Sequence, residues 1–217
     1  MKRFFIRTCG TYTKVKMDFT MEITAESIQD QIPYYLSQEA KDNLVKALKS
    51  FPDNINYYIN LYQSDMLQGD GWTSLELIRF EDGERKKAKG IILSNSCDID
   101  PTNRRETPPR ITFAPIIKIV RYVSTLKDAG FDDNRIAGKI KAIKEQNVTT
   151  LFYLPKGNGL DDDYIALLHD LHTIPLEAFQ ASTERKKLFT LSQIGFYLFI
   201  LKLSVHFCRF HENIDRN

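Results

Sequence analysis

The fold is decided by one stretch of short apolar runs and polar turns, which reads Lys89-Gly90-Ile91-Ile92-Leu93-Ser94-Asn95-Ser96-Cys97-Asp98-Ile99-Asp100. A Gly-Asp turn precedes it in Leu67-Gln68-Gly69-Asp70-Gly71-Trp72, and a second β-rich run follows in Arg110-Ile111-Thr112-Phe113-Ala114-Pro115-Ile116-Ile117. Short apolar runs bounded by Gly, Asn, Asp and Ser are typical of strands joined by turns. The three segments predict a small barrel, with the polar end of the middle strand on its binding face.

Composition and charge are those of an ordinary globular protein. Of the 217 residues, 42% are hydrophobic and 27% are charged, and the formal net charge is +2. That charge is too small to indicate nucleic-acid or membrane binding by itself, and a local basic cluster is most simply a solvated loop. The three cysteines, Cys9, Cys97 and Cys208, lie far apart, which argues against a disulfide framework and predicts a reducing, cytoplasmic location.

Strand signals continue on both sides of the polar stretch. Leu75 to Phe80 and Gly90 to Leu93 are predicted strands, and the Asp82-Gly83 step between them is a hairpin signal. Ile111 to Val120 is the next predicted strand. Pro115 within it indicates an edge strand or a bulge, because proline has no backbone N–H.

The second half of the chain mixes helix and strand signals. A helix capped at Asp132 is predicted to run to about Glu145, with its isoleucines on one face. Strands follow at Thr149 to Leu154 and Tyr164 to Leu168. A final long helix is predicted over residues 184–210; polar and charged residues interrupt its apolar run, which favours a buried helix over a membrane span.

The first 66 residues are predicted to form a separate mixed extension. Weak alternation suggests one or two strands in residues 1–23, and Ser37 is a helix-start signal. For residues 55–66, helix and strand remain equally open. The predicted organisation is therefore an extension over residues 1–66 and a barrel with a C-terminal helix over residues 67–217.

The order of elements resembles the MazF/PemK toxin family over roughly residues 67–205. The resemblance is carried by the Gly-Asp opening, the strand ending in Leu-Ser-Asn, the Ala-Pro-Ile strand and the segment Tyr164-Ile165-Ala166-Leu167-Leu168-His169-Asp170-Leu171-His172-Thr173-Ile174. It implies an α+β protein built on a small SH3-like barrel, with N-terminal helices, a mid-chain helix insertion and a long C-terminal helix. It also implies a dimeric, sequence-specific endoribonuclease that needs no metal or other cofactor.

This chain departs from the family pattern at two positions. The family's Arg before the buried strand is replaced by Lys87-Ala88-Lys89, and its Thr or Ser after the Ala-Pro-Ile strand is replaced by Ile116-Ile117-Lys118. Lysine lacks the flat bidentate grip of arginine on phosphate. The candidate catalytic residues are Lys87, Lys89 and Asp98, and the candidate substrate-binding residues are Asn95, Ser96, Cys97 and Arg110.

Several features have a structural as well as a functional interpretation. Cys97 is either a nucleophile, which would need a base such as His169 or His172, or a small packed residue within a turn. The carboxylates of Asp98, Asp100 and Glu106 are a weak metal signal. The aromatic residues, among them Trp72 and three tyrosines at positions 57, 58 and 62, either stack on bases or fill a core.

Three functional hypotheses follow. The first is a toxin-like protein that acts on single-stranded RNA as a metal-independent endoribonuclease. The second is a barrel without catalysis that binds an antitoxin, another protein or nucleic acid in phage conflict or regulation. The third is an enzyme that depends on Cys97.

Overall fold

The computed structural model describes residue 51 and residues 55–79, 81–100, 102–103 and 106–207. Within them the chain forms a mixed α+β fold with one eight-stranded sheet and five helices. The strands are β1 (Tyr58–Ile59), β2 (Gly71–Ile78), β3 (Arg85–Ile92), β4 (Arg110–Lys118), β5 (Leu151–Leu154), β6 (Tyr164–Leu167), β7 (His172–Pro175) and β8 (Lys187–Leu191). The helices are α1 (Ser96–Ile99), α2 (Ile119–Asp128), α3 (Asp133–Lys144), α4 (Leu176–Ala181) and α5 (Gln193–Phe207).

The sheet is antiparallel and open. Its strand order is β1-β8-β2-β3-β4-β6-β5, and β7 pairs with β4 off this path. The α+β class is confirmed, whereas a closed SH3-like barrel is not. At the β5 edge the side-chain amide of Gln146 forms two hydrogen bonds with the backbone of Tyr153. Its oxygen accepts from the Tyr153 N–H at 3.1 Å, and its nitrogen donates to the Tyr153 C=O at 2.9 Å. Those two backbone groups are therefore satisfied without a further strand.

The β2–β3 hairpin forms as its sequence predicts. Gly83, at a φ of +70°, supplies the left-handed turn position, and the strands pair from Ile78 opposite Arg85 back to Gly71 opposite Ile91. The register shifts between Trp72 and Leu75, where Ser74 also has a positive φ. Such a bulge bends and twists the strand, which curves the sheet.

The long strand β4 lies inside the sheet, so the expected edge position of Pro115 is wrong. Pro115 pairs with Gly90 of β3. On the opposite side of β4, residues 110–113 pair with β7 and residues 116–118 pair with β6. Pro115 thus falls in the gap between these two partners, where a missing N–H breaks no ladder hydrogen bond.

The predicted helix over residues 184–210 begins later than expected. Residues Lys187–Leu191 form β8, which pairs with β1 and β2, and α5 starts only at Gln193. Ser192 marks the change: its hydroxyl accepts from the N–H of Gly195 at 3.1 Å and donates to the carbonyl of Asn56. Helices α2 and α4 were not predicted, whereas α3 was, including its Asp132 cap on Arg135 N.

Apolar side chains pack on both faces of the sheet. On one face Ile91, Ala114 and Ile116 pack with residues of α5, among them Phe199. On the other face the core divides into two clusters. One includes Trp72, Phe113 and Phe179, and the other packs Ile117 and Ile165 with residues of α2 and α3.

Part of the predicted N-terminal extension contributes to this same core. Tyr57 and Tyr58 are buried there, and β1 pairs with β8. The strands predicted in residues 1–23 and the helix start at Ser37 lie outside the described residues. Residues 55–66, for which the sequence left both helix and strand open, form a loop with one short strand.

Candidate functional site

The polar segment after β3 folds into the short helix α1. Asn95 is its N-cap, and its side-chain oxygen accepts from the backbone N–H of Cys97 at 2.9 Å. The hydroxyl of Ser96 accepts from the backbone N–H of Gln68 at 2.9 Å. Asn95 therefore caps α1, and Ser96 connects α1 to the segment before β2, so both predicted substrate-binding side chains hold structure.

The other predicted residues near α1 lie at the surface. Cys97 and Asp98 are exposed on α1, and the side chain of Asn103 donates to the carbonyl of Cys97 at 2.6 Å. Asp100 accepts from both the N–H and the hydroxyl of Thr102. The exposed Arg110 donates to the carbonyl of Thr173 at 3.2 Å. Among the residues that the structure describes, no group of three His, Cys, Asp or Glu side chains could hold a metal ion.

The strand registers place three lysines on one face of the sheet. Successive side chains of a strand point to opposite faces of the sheet, so Lys87, Lys89 and Ile91 of β3 all point to the same face. Ile91 pairs with Ala114 of β4, and Lys118 lies four residues further along β4 on that same face. We refer to Lys87, Lys89 and Lys118 as the lysine rim, because they border the buried core of this face.

Each lysine of the rim has a polar partner. Lys87 forms an ion pair with Glu184 at 2.8 Å. Lys89 donates to the hydroxyl of Tyr164 at 2.9 Å, and that hydroxyl donates to Asp161 at 2.8 Å. Lys118 pairs with the other carboxylate oxygen of Asp161 at 2.5 Å. Lys89, Lys118, Asp161 and Tyr164 thus form one connected set of hydrogen bonds, the Tyr164 network.

The pKa values of the Tyr164 network fix where its protons reside. The bonds from Lys118 and then from Tyr164 lower the pKa of Asp161 to about 2, so this carboxylate is ionised at neutral pH. Burial, followed by the bond to Asp161, raises the pKa of Tyr164 to about 12. The bond to Asp161 raises the pKa of Lys118. At neutral pH Asp161 is therefore a carboxylate, Tyr164 a neutral phenol and Lys118 an ammonium group.

A groove opens beside this network. It has a volume of about 530 Å³, and its polar lining is Lys118 and Tyr164 together with Arg121 and Ser124 of α2. The rest of the lining is apolar and comes from Ile116, Ile117 and Val120. Helix α2 begins immediately after Lys118, so the end of β4 brings Arg121 next to the lysine rim. A groove with guanidinium, ammonium and hydroxyl groups offers donors suited to phosphate oxygens.

Asp98 lies away from the lysines with which it was grouped. β3 ends at Ile92, five residues after Lys87 and three residues after Lys89. At ~3.3 Å per residue, the strand end lies roughly 16 Å from Lys87 and roughly 10 Å from Lys89. Asp98 comes after that end, on α1. The described geometry thus joins Lys89 to Tyr164, Asp161 and Lys118, none of which was a predicted site residue. The sequence feature that could have pointed to these residues is the acidic run Asp161-Asp162-Asp163 directly before Tyr164.

Comparison of the sequence with protein-family models and with curated proteins finds no match. None of the helices in the described part of the chain is both long enough and apolar enough to cross a membrane. By its fold and its candidate site, this is a mixed α+β protein with a groove bordered by lysines.

Proposed function

We propose that this protein acts on single-stranded RNA, with the lysine rim and the adjoining groove as its phosphate-binding surface. The observation that carries the proposal is the Tyr164 network, in which Lys89 and Lys118 are held beside a groove that also presents Arg121. Lys89, Lys118 and Arg121 outnumber the carboxylate of Asp161 that pairs with Lys118, and this local excess suits a polyanion. The net charge of +2 on the whole chain does not by itself favour one.

The proposed reaction is metal-independent cleavage of the RNA backbone. The 2′-hydroxyl gives its proton to solvent, and the 2′ oxygen attacks the neighbouring phosphorus to form a 2′,3′-cyclic phosphate. The bond to the 5′ oxygen breaks, and that oxygen takes a proton from Tyr164, which solvent then reprotonates. Such a step needs cations on the phosphate and a proton donor for the leaving group. Lys89 and Lys118 supply the cations, and Tyr164 supplies a phenol that is still protonated at neutral pH.

We propose in addition a distant relationship with the MazF/PemK toxins. The hairpin β2–β3, the adjacent β4 and the helix α5 occur in the order that the sequence resemblance implies. Two register shifts in β2 curve the sheet. We propose that this curved open sheet is a divergent form of the SH3-like barrel, and that the protein works as a homodimer.

The deciding experiment is incubation of purified protein with a long RNA of mixed sequence in EDTA, read by primer extension. Discrete cuts are expected from the wild-type protein. The double variant Lys87→Ala with Lys89→Ala should lose them. The matched control is Lys127→Ala with Lys141→Ala, which removes two exposed, ion-paired lysines from α2 and α3. Full cleavage by the Lys87/Lys89 variant would overturn the assignment of these residues.

A second candidate is a binding module without catalysis, directed at RNA or at an antitoxin-like protein. It is favoured by the state of Asp161, because a carboxylate with a pKa near 2 is a weak proton acceptor. Asp161 then orients Tyr164 and Lys118 without removing the proton from a 2′-hydroxyl. Intact RNA after incubation with folded protein, combined with retention of that RNA in a gel-shift measurement, would select this candidate.

A further inference from the structure

A second cleft lies on the opposite face of the sheet from the lysine rim. Trp72 pairs with Gly90, and Lys89, as the neighbour of Gly90, points the other way. The cleft has a volume of about 700 Å³ and is bounded by the segment before β2, by α1 and by the end of α4. We refer to it as the Trp72 cleft. Its size is within the range of small-molecule sites in proteins.

Aromatic and apolar groups line one part of this cleft. Met66 and Leu67, which are partly exposed, contribute most of the apolar surface, whereas Trp72 and Ile99 are 8% and 1% exposed and reach the cleft only with a small part of their side chains. Trp72 is held edge-to-face against Phe179, with ring centroids 5.7 Å apart, so its ring is fixed in place. Its indole N–H is buried and has no hydrogen-bond acceptor in the described part of the chain. Buried donors without a partner are rare in folded proteins, which sets this indole apart from the rest of the cleft wall.

Polar groups surround this apolar surface. Arg185 contributes a guanidinium group that lies 5.8 Å from the ring of Phe179. Gln63 and Gln180 contribute amides from two different segments, and Asp65 and Asp100 contribute carboxylates. One cation and two anions give the lining a formal charge of about −1, which disfavours a phosphate group within the cleft.

We infer that the Trp72 cleft binds a nucleobase or nucleoside, that is, an uncharged planar heterocycle with donors and acceptors on its edge. Its flat faces suit a slot with apolar walls, which the partly exposed side chains of Met66 and Leu67 supply here. Amide and carboxylate side chains are the groups that hydrogen-bond the edges of bases. The inference is independent of the proposed RNA cleavage, because the cleft and the lysine rim lie on opposite faces of the sheet.

The chain carries its own reporters for a test. Trp72 is the single tryptophan of the protein, so its intrinsic fluorescence reports on this cleft alone. The exposed Cys97 also lines the cleft, and its alkylation by iodoacetamide can be followed by peptide mass spectrometry. Adenosine, guanosine, cytidine and uridine are titrated separately, and a free tryptophan derivative corrects for light absorbed by the nucleosides.

At least one nucleoside should give a saturable change in Trp72 fluorescence and slow the alkylation of Cys97. Arg185→Met should weaken that binding about tenfold, whereas Lys186→Met, a charge removal at the neighbouring position, should leave it unchanged. The nucleoside should bind more tightly than its 5′-monophosphate. If nucleosides fail but a short single-stranded RNA protects Cys97 and needs Arg185, the ligand is a base within RNA. Absence of saturation and protection with all of these probes, or tighter binding of the monophosphate, would overturn the inference.

Discussion

The Oδ2 atom of Asp70 lies 2.6 Å from Nζ of Lys187, and the two side chains are only 0% and 4% exposed. The same carboxylate oxygen accepts from the backbone N–H of Leu67 at 2.8 Å. The ammonium group also donates to the carbonyl of Tyr62 and the hydroxyl of Thr190. This buried pair joins the segment before β2 to β8, and Nζ lies 5.4 Å from the centre of the Trp72 ring.

Removal of one charge from this pair is expected to destabilise the fold. Asp70→Asn should lower the free energy of unfolding by roughly 3–5 kcal/mol, because it leaves the ammonium of Lys187 buried without a counter-charge. The double variant Asp70→Asn with Lys187→Met should recover a large part of that loss. Urea unfolding of the single and double variants measures the coupling; additive effects would contradict it. Glu184→Gln, which breaks the exposed pair with Lys87, is the control and should change stability little.

Lys202 should make stability depend on pH in the alkaline range. Burial lowers its folded-state pKa from 10.5 to about 7, and its ammonium donates to the carbonyl of Gln146. Between these two pH values the unfolded chain binds a proton that the folded chain does not, so stability rises as pH increases from about 7 towards 10. Lys202→Met should raise the free energy of unfolding at pH 7 by roughly 1–3 kcal/mol and flatten this slope.

The half-buried His206 and the buried Tyr57 act outside that pH window. Burial lowers the pKa of His206, whose contribution is lost only as pH falls below about 6.5. Burial raises the pKa of Tyr57 to about 12, so its contribution is lost only above pH 10. Urea unfolding of the wild-type protein and of Lys202→Met at pH 7 and pH 9 gives the contribution of Lys202 by difference. An equal slope in the wild-type protein and in Lys202→Met would contradict the role assigned to this lysine.

The hydroxyl of Tyr164 should matter for RNA cleavage, because it links Lys89 to Asp161. Tyr164→Phe keeps the buried ring and removes the proposed proton donor, and we expect a loss of cleavage rate of about 10²-fold or more. RNA affinity, measured by gel shift at fixed salt, should change far less. Tyr153→Phe is the matched control, since its hydroxyl bonds Asp163. Equal rates for Tyr164→Phe and the wild-type protein would remove Tyr164 from the mechanism.

Two glycines should respond to alanine in opposite directions. A Cβ atom at Gly71 would lie 2.2 Å from the ring of Phe189, which is buried, so Gly71→Ala should cost roughly 1–3 kcal/mol. Gly138 lies within α3, and a Cβ there would meet no atom within 4 Å. Gly138→Ala should therefore stabilise the protein by about 0.5–1 kcal/mol. Thermal unfolding of both variants checks the prediction, and a Gly71→Ala protein as stable as the wild type would contradict the close packing of β2 on β8.

Local signals predicted the elements whose ends are set by neighbouring residues. The Asp82-Gly83 turn gave the β2–β3 hairpin, and the Asp132 cap gave α3. The prediction was wrong where a segment's state depends on distant partners. Residues Lys187–Leu191 are apolar enough for either a helix or a strand, and pairing with β1 and β2 makes them a strand.

The candidate site was predicted only in part for a related reason. Lys89 was identified from its place before the buried strand, but its partner Tyr164 lies 75 residues away in the sequence. Asn95 and Ser96 looked like free binding groups, although the bond from Cys97 N to Asn95 is a local N-cap pattern. The bond from Gln68 N to Ser96 joins residues 28 apart in the sequence, so no local signal shows it. A hydrogen bond across the sheet depends on strand order, which a single sequence pattern does not contain.

The sequence by itself determined the α+β class, the turn at Gly83 and the start of α3, because backbone preferences and short-range hydrogen bonds decide these features. Tertiary structure alone decided three others: that Pro115 is internal, that Lys118 and Tyr164 meet Lys89, and that Asp70 is buried against Lys187. Each of these depends on the register between strands distant in sequence, and that register is fixed by burial of whole sheet faces, not by any local preference.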